Sequence, residues 1–314
     1  MSRCCVIGGA GFIGSHLVNE LLDSGRVVRV VGRRDLELAS LPEKVEYFQG
    51  DIRNREFISD ALKGVDEVVD LAYSSVPKTS YENPVLDITD NLPSSVGLFD
   101  VASTLPIRKL VFVSSGGTVY GEPQNLPISE THPTNPISPY GITKLALEKY
   151  AQMYCRLRGL PVVCVRPSNP FGERQKPFVG QGFIATAIAS ILAGHEVKIF
   201  GDQGTIRDYI YVKDVAKALV AALDFGIPGE CYNAGSAVGR SNLEIIEQIS
   251  IHAKLCGLKP LVTHVSPRSF DVSANVLDTS KLHAISGWQS ELGFAAGIEC
   301  TWSWFYKNYK NRLD

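Results

Sequence analysis

The sequence predicts an α/β protein with a doubly wound parallel sheet and a smaller C-terminal α/β lobe. Runs of near-continuous Val, Ile and Leu alternate with helical patterns through the first half of the chain. Such runs mark strands buried on both faces, as in a parallel sheet covered by helices on each side. A glycine-rich turn, VIGGAGFIGSHL, joins the first run to the first helix. After Pro167 the strands shorten and the loops lengthen. With right-handed crossovers, this is a Rossmann-type sheet over residues 1–167 plus part of the later segments, and residues 168–314 mainly form the second lobe.

CCVIGG reads as the first strand and FIGSHLVNELLDSG as a helix closed by Gly25. VVRVVG and VEYFQGD are the next strands. NREFISDALKG has helical spacing and ends at Gly64, and DEVVDLAY returns to the sheet. The stretch from Pro84 to Thr104 is helical, KLVFVSS is a strand, SPYGITKLALEKYAQMYCRLRG a long helix and LPVVCVRP a strand. Ser138 and Pro139 start the long helix, proline being suited to its first turn. In the second half PSNPFGERQKPFVGQG is the longest loop. VKIFG, DYIYV and ECYNAG are short strands, and GFIATAIASILAG, VKDVAKALVAALDFG and SNLEIIEQISIHA are helices. This half should close over the carboxyl edge of the sheet, where ligands of such folds bind.

Composition excludes several classes. The chain has 314 residues, 45% hydrophobic and 20% charged, enough for a sizeable core. A net charge of −2 and the lack of a long lysine/arginine block give no stripe for nucleic acid. The longest apolar runs, such as VVDLAY, fall far short of the roughly 20 residues that span a bilayer. The N-terminus opens directly on RCCVIGG, without a signal-peptide pattern. Seven cysteines without CxxC or His/Cys metal spacing read as reduced thiols, with Cys4, Cys5, Cys164 and Cys231 in apolar runs. The expectation is a cytoplasmic protein with no metal, nucleic-acid or membrane partner.

Gly8, Gly11 and Gly14 have GxxGxxG spacing between the first strand and first helix. Gly8 allows a tight turn, Gly11 lets backbone approach a pyrophosphate, and Gly14 lets helix pack on strand. The helix N-terminus at Phe12 and Ile13 supplies free N–H groups and partial positive charge. A dinucleotide cradle follows. The end of the second strand chooses the cofactor: a carboxylate holds the ribose hydroxyls of NAD, and an arginine accommodates the 2′-phosphate of NADP. Here the strand ends VVGRRDLE, with Gly32 at the carboxylate position and Arg33 and Arg34 after it. Asp35 lies about 20 residues past Gly14, as the spacing rule asks. NAD is therefore expected, NADP is kept open by Arg33 and Arg34, and a solvated turn is the plainer reading of the two arginines. Asp51 and Ile52 in GDIRN, and Ala72 after the fourth strand, are placed to line the same site. Asp51 has an alternative use as a helix cap.

SPYGITK sets Tyr140 and Lys144 four residues apart on one helix face. A free tyrosine has a pKa of about 10, too high for a base at neutral pH. A neighbouring ammonium and a positive nicotinamide would favour the phenolate. Tyr140 can then take a proton from a substrate hydroxyl, and Lys144 can also hold the nicotinamide ribose.

The motifs GGAGFIGSHL, GDIRN, SSGGTVYG, SPYGITK, RPSNPFG and GTIRDYIYVKDVAKA stand in the order found in extended short-chain dehydrogenases/reductases. From about residue 3 to 305 the chain resembles their nucleotide-sugar epimerase/dehydratase family, most of all its UDP-glucose/galactose 4-epimerases. The resemblance implies a UDP-hexose 4-epimerase with tightly held cofactor and Tyr140 as acid and base. It also implies a nucleoside diphosphate sugar as substrate, UDP-linked rather than dTDP-linked, and a homodimer paired through two helices. It assigns Tyr73, Ser74 and Ser75 to a loop touching cofactor and sugar, and Asn169 and Arg207 to the diphosphate. Arg268 and Asp271 fall to a second clamp on phosphate and ribose, and Phe200 to the pyrimidine.

The stretch SSGGTVYG departs from that family. Its third catalytic hydroxyl lies four residues before the tyrosine of Val-Tyr-Gly, and here that residue is Gly116. If the strand stays regular, Thr118 faces the same side and replaces it, with Ser115 second. Gly116 and Gly117 should leave open space beside the sugar. Related 4,6-dehydratases carry an Asp–Glu pair where Gly117 and Thr118 stand, which argues against dehydration. A one-way keto-sugar reductase and a catalytically inactive cofactor-binding sensor or scaffold are the other readings.

Overall fold

Strand β1 (Arg3–Ile7) sends Cys4 and Val6 into one apolar layer and Cys5 and Ile7 into another. Both faces of the strand are covered, which is why its sequence is apolar throughout. A computed structural model describes residues 1–35, 41–202, 204–266 and 272–309. The other strands are β2 (Val27–Gly32), β3 (Glu46–Gln49), β4 (Glu67–Asp70), β5 (Lys109–Val113), β6 (Val162–Pro167), β7 (Asn169–Phe171), β8 (Glu196–Phe200), β9 (Ile206–Tyr211), β10 (Cys231–Ala234), β11 (Gly239–Ser241), β12 (Leu261–Val265) and β13 (Ala274–Asn275). The helices are α1 (Phe12–Asp23), α2 (Arg55–Ala61), α3 (Pro77–Glu82), α4 (Pro84–Ala102), α5 (Pro139–Arg158), α6 (Phe183–Leu192), α7 (Val212–Phe225), α8 (Asn242–Leu255), α9 (Ser280–Ser286) and α10 (Phe294–Tyr309).

Seven parallel strands form the main sheet in the order β10-β6-β5-β4-β1-β2-β3. The order reverses between β1 and β4, and a crevice opens there at the carboxyl ends of the strands. Leu17, Val18 and Leu21 of α1 and Val215, Leu219 and Leu223 of α7 fill one face. Ile58 of α2, Leu98 and Phe99 of α4, and Leu147 and Ala151 of α5 fill the other. Two elements of the second half, α7 and β10, thus return to the first sheet.

The second lobe is built on β9, which pairs with β7, β11 and β13, beside the β8–β12 ribbon. Its core joins Ile184 and Ile188 of α6, Ile245 and Ile249 of α8, and Trp302 and Phe305 of α10. Two buried aspartates brace it. Asp208 accepts the Ser236 and Ala237 amides at 2.8 and 3.2 Å, and Asp214 accepts those of Glu291 and Leu292 at 3.2 and 3.1 Å. Loop AYSSVPK runs straight into α3, whose first residue is Pro77. Among the described residues no helix is long and apolar enough to cross a membrane, and no cluster of His, Cys, Asp or Glu could hold a metal.

Candidate active site

The glycine turn is shaped for a ligand's phosphates. Gly8 has φ +81°, a left-handed value that glycine adopts without strain, and its amide donates to Val31 at 2.8 Å. A Cβ on Gly14 would lie 2.5 Å from the Gly8 carbonyl, so only glycine lets α1 sit this close to the turn. The N-cap of α1 is Gly11, and no side chain caps the helix. Its first-turn amides are therefore left for a ligand. A cleft of about 280 Å³ opens over this turn, lined by Gly8, Gly11, Arg33, Asp51, Ile52 and Ala72 among others. These residues fit a dinucleotide. Phe12 and Ile13 offer backbone only: the Phe12 ring packs on His16 and Ile13 on the core. Asn54, not Asp51, caps α2. Asp51 instead pairs with Arg53 at 2.6 Å, and that bond chiefly holds its carboxyl below the usual range.

At the other end of the crevice α5 carries Tyr140 and Lys144. Ser138 caps the helix by accepting the Gly141 amide at 3.2 Å, and Pro139 follows. A Cβ on Gly141 would lie 2.6 Å from the Thr118 carbonyl, so this glycine lets the helix press onto the 114–118 turn. This brings the Ser115 side chain to the Tyr140 phenol, where it favours the phenolate. Lys144 Nζ donates to the Val113 carbonyl at 2.8 Å and sits 4.0 Å from the Tyr73 ring centre, a cation–π contact. Tyr73 in turn meets Tyr140 edge-on at 4.9 Å. Burial lowers the Lys144 pKa to about 8, while Asp70, Glu148 and Asp87 pull it back up. The Tyr140 phenol moves opposite to expectation. Burial pushes it up, Asp87 adds to the rise, and only the Ser115 side chain opposes them.

Of the two helper hydroxyls expected, Ser115 is the one that acts on the phenol. Strand β5 stops at Val113, and the chain then turns, with the Thr118 and Val119 amides directed back to the Ser115 carbonyl. Strand alternation no longer applies, so Ser115 meets the phenol. Thr118 Oγ1 is buried with no partner among the described residues. Gly116 is also corrected. Its amide donates to Pro167 at 2.8 Å, and a Cβ there would run into Leu277 and lie 3.0 Å from the Arg166 carbonyl. It is a packing glycine, and the open space expected at its side-chain position is filled. Gly117 is the open one, its nearest neighbour for a Cβ being Asn169 Oδ1 at 3.8 Å.

The remaining expected residues spread out. Ser74 lines the dinucleotide cleft, and its hydroxyl donates to Asn91 at 3.1 Å; the Ser75 hydroxyl donates to Asp87. Both serines are turned into α4. Asn169 opens β7 beside Gly117, and its amide donates to the Asp208 carbonyl at 3.3 Å. Phe200 ends β8 in register with Val265. Arg207 lies directly opposite Arg240 across the antiparallel β9–β11 pair, so the two side chains leave one face of the sheet, with the Arg240 guanidinium 4.5 Å from the Phe294 ring centre. Sequence reasoning misses Arg240, since only the register reveals the pairing. Arg268 and Asp271 lie outside the described residues. A further group missed in the sequence braces the site from below: Arg166 grips Glu148 of α5 through two bonds of 2.9 and 2.6 Å and donates to the Tyr120 hydroxyl at 2.8 Å.

The nucleotide cradle and the Ser–Tyr–Lys cluster thus adjoin at Tyr73, which lines the cleft and touches Tyr140 and Lys144. Residues 4–235 match the sequence profile of the NAD-dependent epimerase/dehydratase family. The chain belongs to that family. The UDP-glucose 4-epimerase of Mycolicibacterium smegmatis is 36% identical over 312 residues, covering 96% of this chain and 98% of that protein. The crystal structure of the Thermus thermophilus UDP-glucose 4-epimerase in complex with NAD superposes with a TM-score of 0.89 at 36% identity, covering 98% of this chain and 99% of that one. The Thermotoga maritima UDP-glucose 4-epimerase with UDP-glucose gives 0.90 at 31% identity, covering 97% and 99%. Among family activities, Gly117 and Thr118 before Val119-Tyr120-Gly121 offer no carboxylate for dehydration.

Proposed function

We propose that this family member is a UDP-hexose 4-epimerase. The observation that carries the reading is Tyr140 packed on Tyr73 beside buried Lys144, next to the cleft that Tyr73 and the Gly8 cradle line together. Bound NAD supplies the hydride acceptor for C4 of the sugar and the donor for its return to the opposite face. Tyr140 takes the proton of the 4-hydroxyl and gives it back. Ser115 stabilises the phenolate by hydrogen bonding. Lys144 keeps positive charge beneath the reacting groups, anchored on the Val113 carbonyl. The open wall at Gly117 gives a keto-sugar room to turn. Asn169, Arg207 and the adjacent Arg240 suit a diphosphate, because guanidinium forks match phosphate oxygens.

Purified protein should interconvert UDP-glucose and UDP-galactose without added cofactor, and Tyr140→Phe should lose the activity. No change in either sugar would overturn this reading, and stoichiometric oxidation of external NADPH with a keto-sugar would favour the reductase. We also propose a cytoplasmic homodimer. Val85 and Ile88 of α4 and Tyr150, Met153 and Leu157 of α5 are exposed apolar residues on two helices packed together. Sedimentation of wild type as a dimer, and of Met153→Glu as a monomer, is the expected result.

A further inference from the structure

We propose that the adenosine end of the cleft is built for a 2′-phosphate, so that the chain binds NADP at least as tightly as NAD. The proposal rests on the dinucleotide cleft of the proposed function and deepens it. Strand β2 ends at Gly32, where a binder of the unphosphorylated ribose places a carboxylate. Here that place is filled. A Cβ on Gly32 would lie 2.8 Å from the Tyr47 hydroxyl, and that hydroxyl is itself held, donating to the Arg34 carbonyl at 2.5 Å. Tyr47 therefore occupies the volume of the acidic side chain and fixes the turn that carries two arginines.

Arg33 and Arg34 both line the cleft together with Gly8 and Gly11. Arg34 reaches over the glycine turn, its Nη1 being 3.4 Å from the Ala10 carbonyl. The carboxylates nearby are committed elsewhere. Asp35 accepts from Gln49 Nε2 at 2.9 Å and does not line the cleft. Asp51 is bonded to Arg53 through backbone and side chain, and the charge of Asp90 acts on the same arginine. Among the described residues, the wall beside Gly32 thus carries two guanidiniums, while the carboxylates that line the cleft, Asp51 and Asp90, act on Arg53. A 2′-phosphate brings about −1.5 to −2 charge at pH 7 and three acceptor oxygens. Guanidinium forks recognise such a group, whereas a bare ribose hydroxyl gains little from them.

The test is competition read by occupancy, independent of turnover. Purified protein is incubated with equal concentrations of NAD and NADP until the bound fractions no longer change, and the bound dinucleotide is identified by native mass spectrometry. NADP should fill half the sites or more. In Arg33→Ala and Arg34→Ala the NADP-to-NAD ratio should fall about 10- to 100-fold, the worth of one charge-assisted hydrogen bond. Thermal melting checks that these exposed positions leave the fold intact. NAD dominating in wild type, or ratios unmoved in both variants, would overturn the proposal while leaving the dinucleotide cleft standing. A protein that binds neither dinucleotide would overturn the cleft itself.

Discussion

Replacing Ser115 by alanine should slow turnover about 10- to 150-fold with little loss of stability. Ser115 is the side chain that favours the charged Tyr140 phenol, which burial and Asp87 resist. A hydrogen bond to a charged group contributes about 1.5–3 kcal/mol. That bond matters most when the phenolate forms, so its loss falls on kcat, at about 1.4 kcal/mol per tenfold. Thr118→Val is the control. Thr118 Oγ1 is buried without a partner among the described residues, so removing it relieves a desolvated oxygen. Stability should be unchanged or raised, and turnover should stay near wild type. Initial rates of UDP-galactose conversion and urea unfolding of both variants supply the comparison. If Thr118→Val costs more turnover than Ser115→Ala, the assignment of the helper hydroxyl to Ser115 is wrong.

Three further outcomes follow from the packing and charge of the site. Gly116→Ser places the family's usual residue against Leu277 and the Arg166 and Pro167 carbonyls, so it should destabilise by about 1–3 kcal/mol in urea unfolding instead of restoring function. Glu148→Gln leaves the buried Arg166 charge without its partner, and should cost about 3–5 kcal/mol by the same assay. Burial raises the Asp70 carboxyl from 3.8 to about 6, worth about 3 kcal/mol. Because the native state holds this proton more tightly, the contribution is present below about pH 4 and lost as pH rises through about 6. Asp70→Asn should flatten that decline when unfolding is measured across the range.

Much of the fold is legible in the sequence because parallel strands buried on both faces spell themselves as apolar runs, as Cys4–Ile7 does. The cradle and the start of α5 are legible for local reasons: Gly8 needs a left-handed turn, and Ser138 and Pro139 are cap residues. What stays hidden depends on distant contacts. Strand β10 and α7 look like second-lobe elements until their apolar faces meet the first sheet. The two- and three-residue strands β7, β11 and β13 carry no period of their own. Gly116 reads as empty space until Leu277, far along the chain, is seen to fill it. The turn after Val113 removes the ground for ranking Thr118 above Ser115, because alternation holds only while the strand lasts. Arg240 is an ordinary loop arginine until the β9–β11 register sets it opposite Arg207.

The central claim is that Tyr140 drives a reversible oxidation at C4 in which hydrogen never leaves the crevice. UDP-galactose carrying deuterium at C4 tests this directly. The account predicts UDP-glucose with the deuterium retained at C4, formed without added cofactor, and no product from Tyr140→Phe. Loss of the label to water or to an external nicotinamide pool, or undiminished epimerisation by Tyr140→Phe, would contradict it.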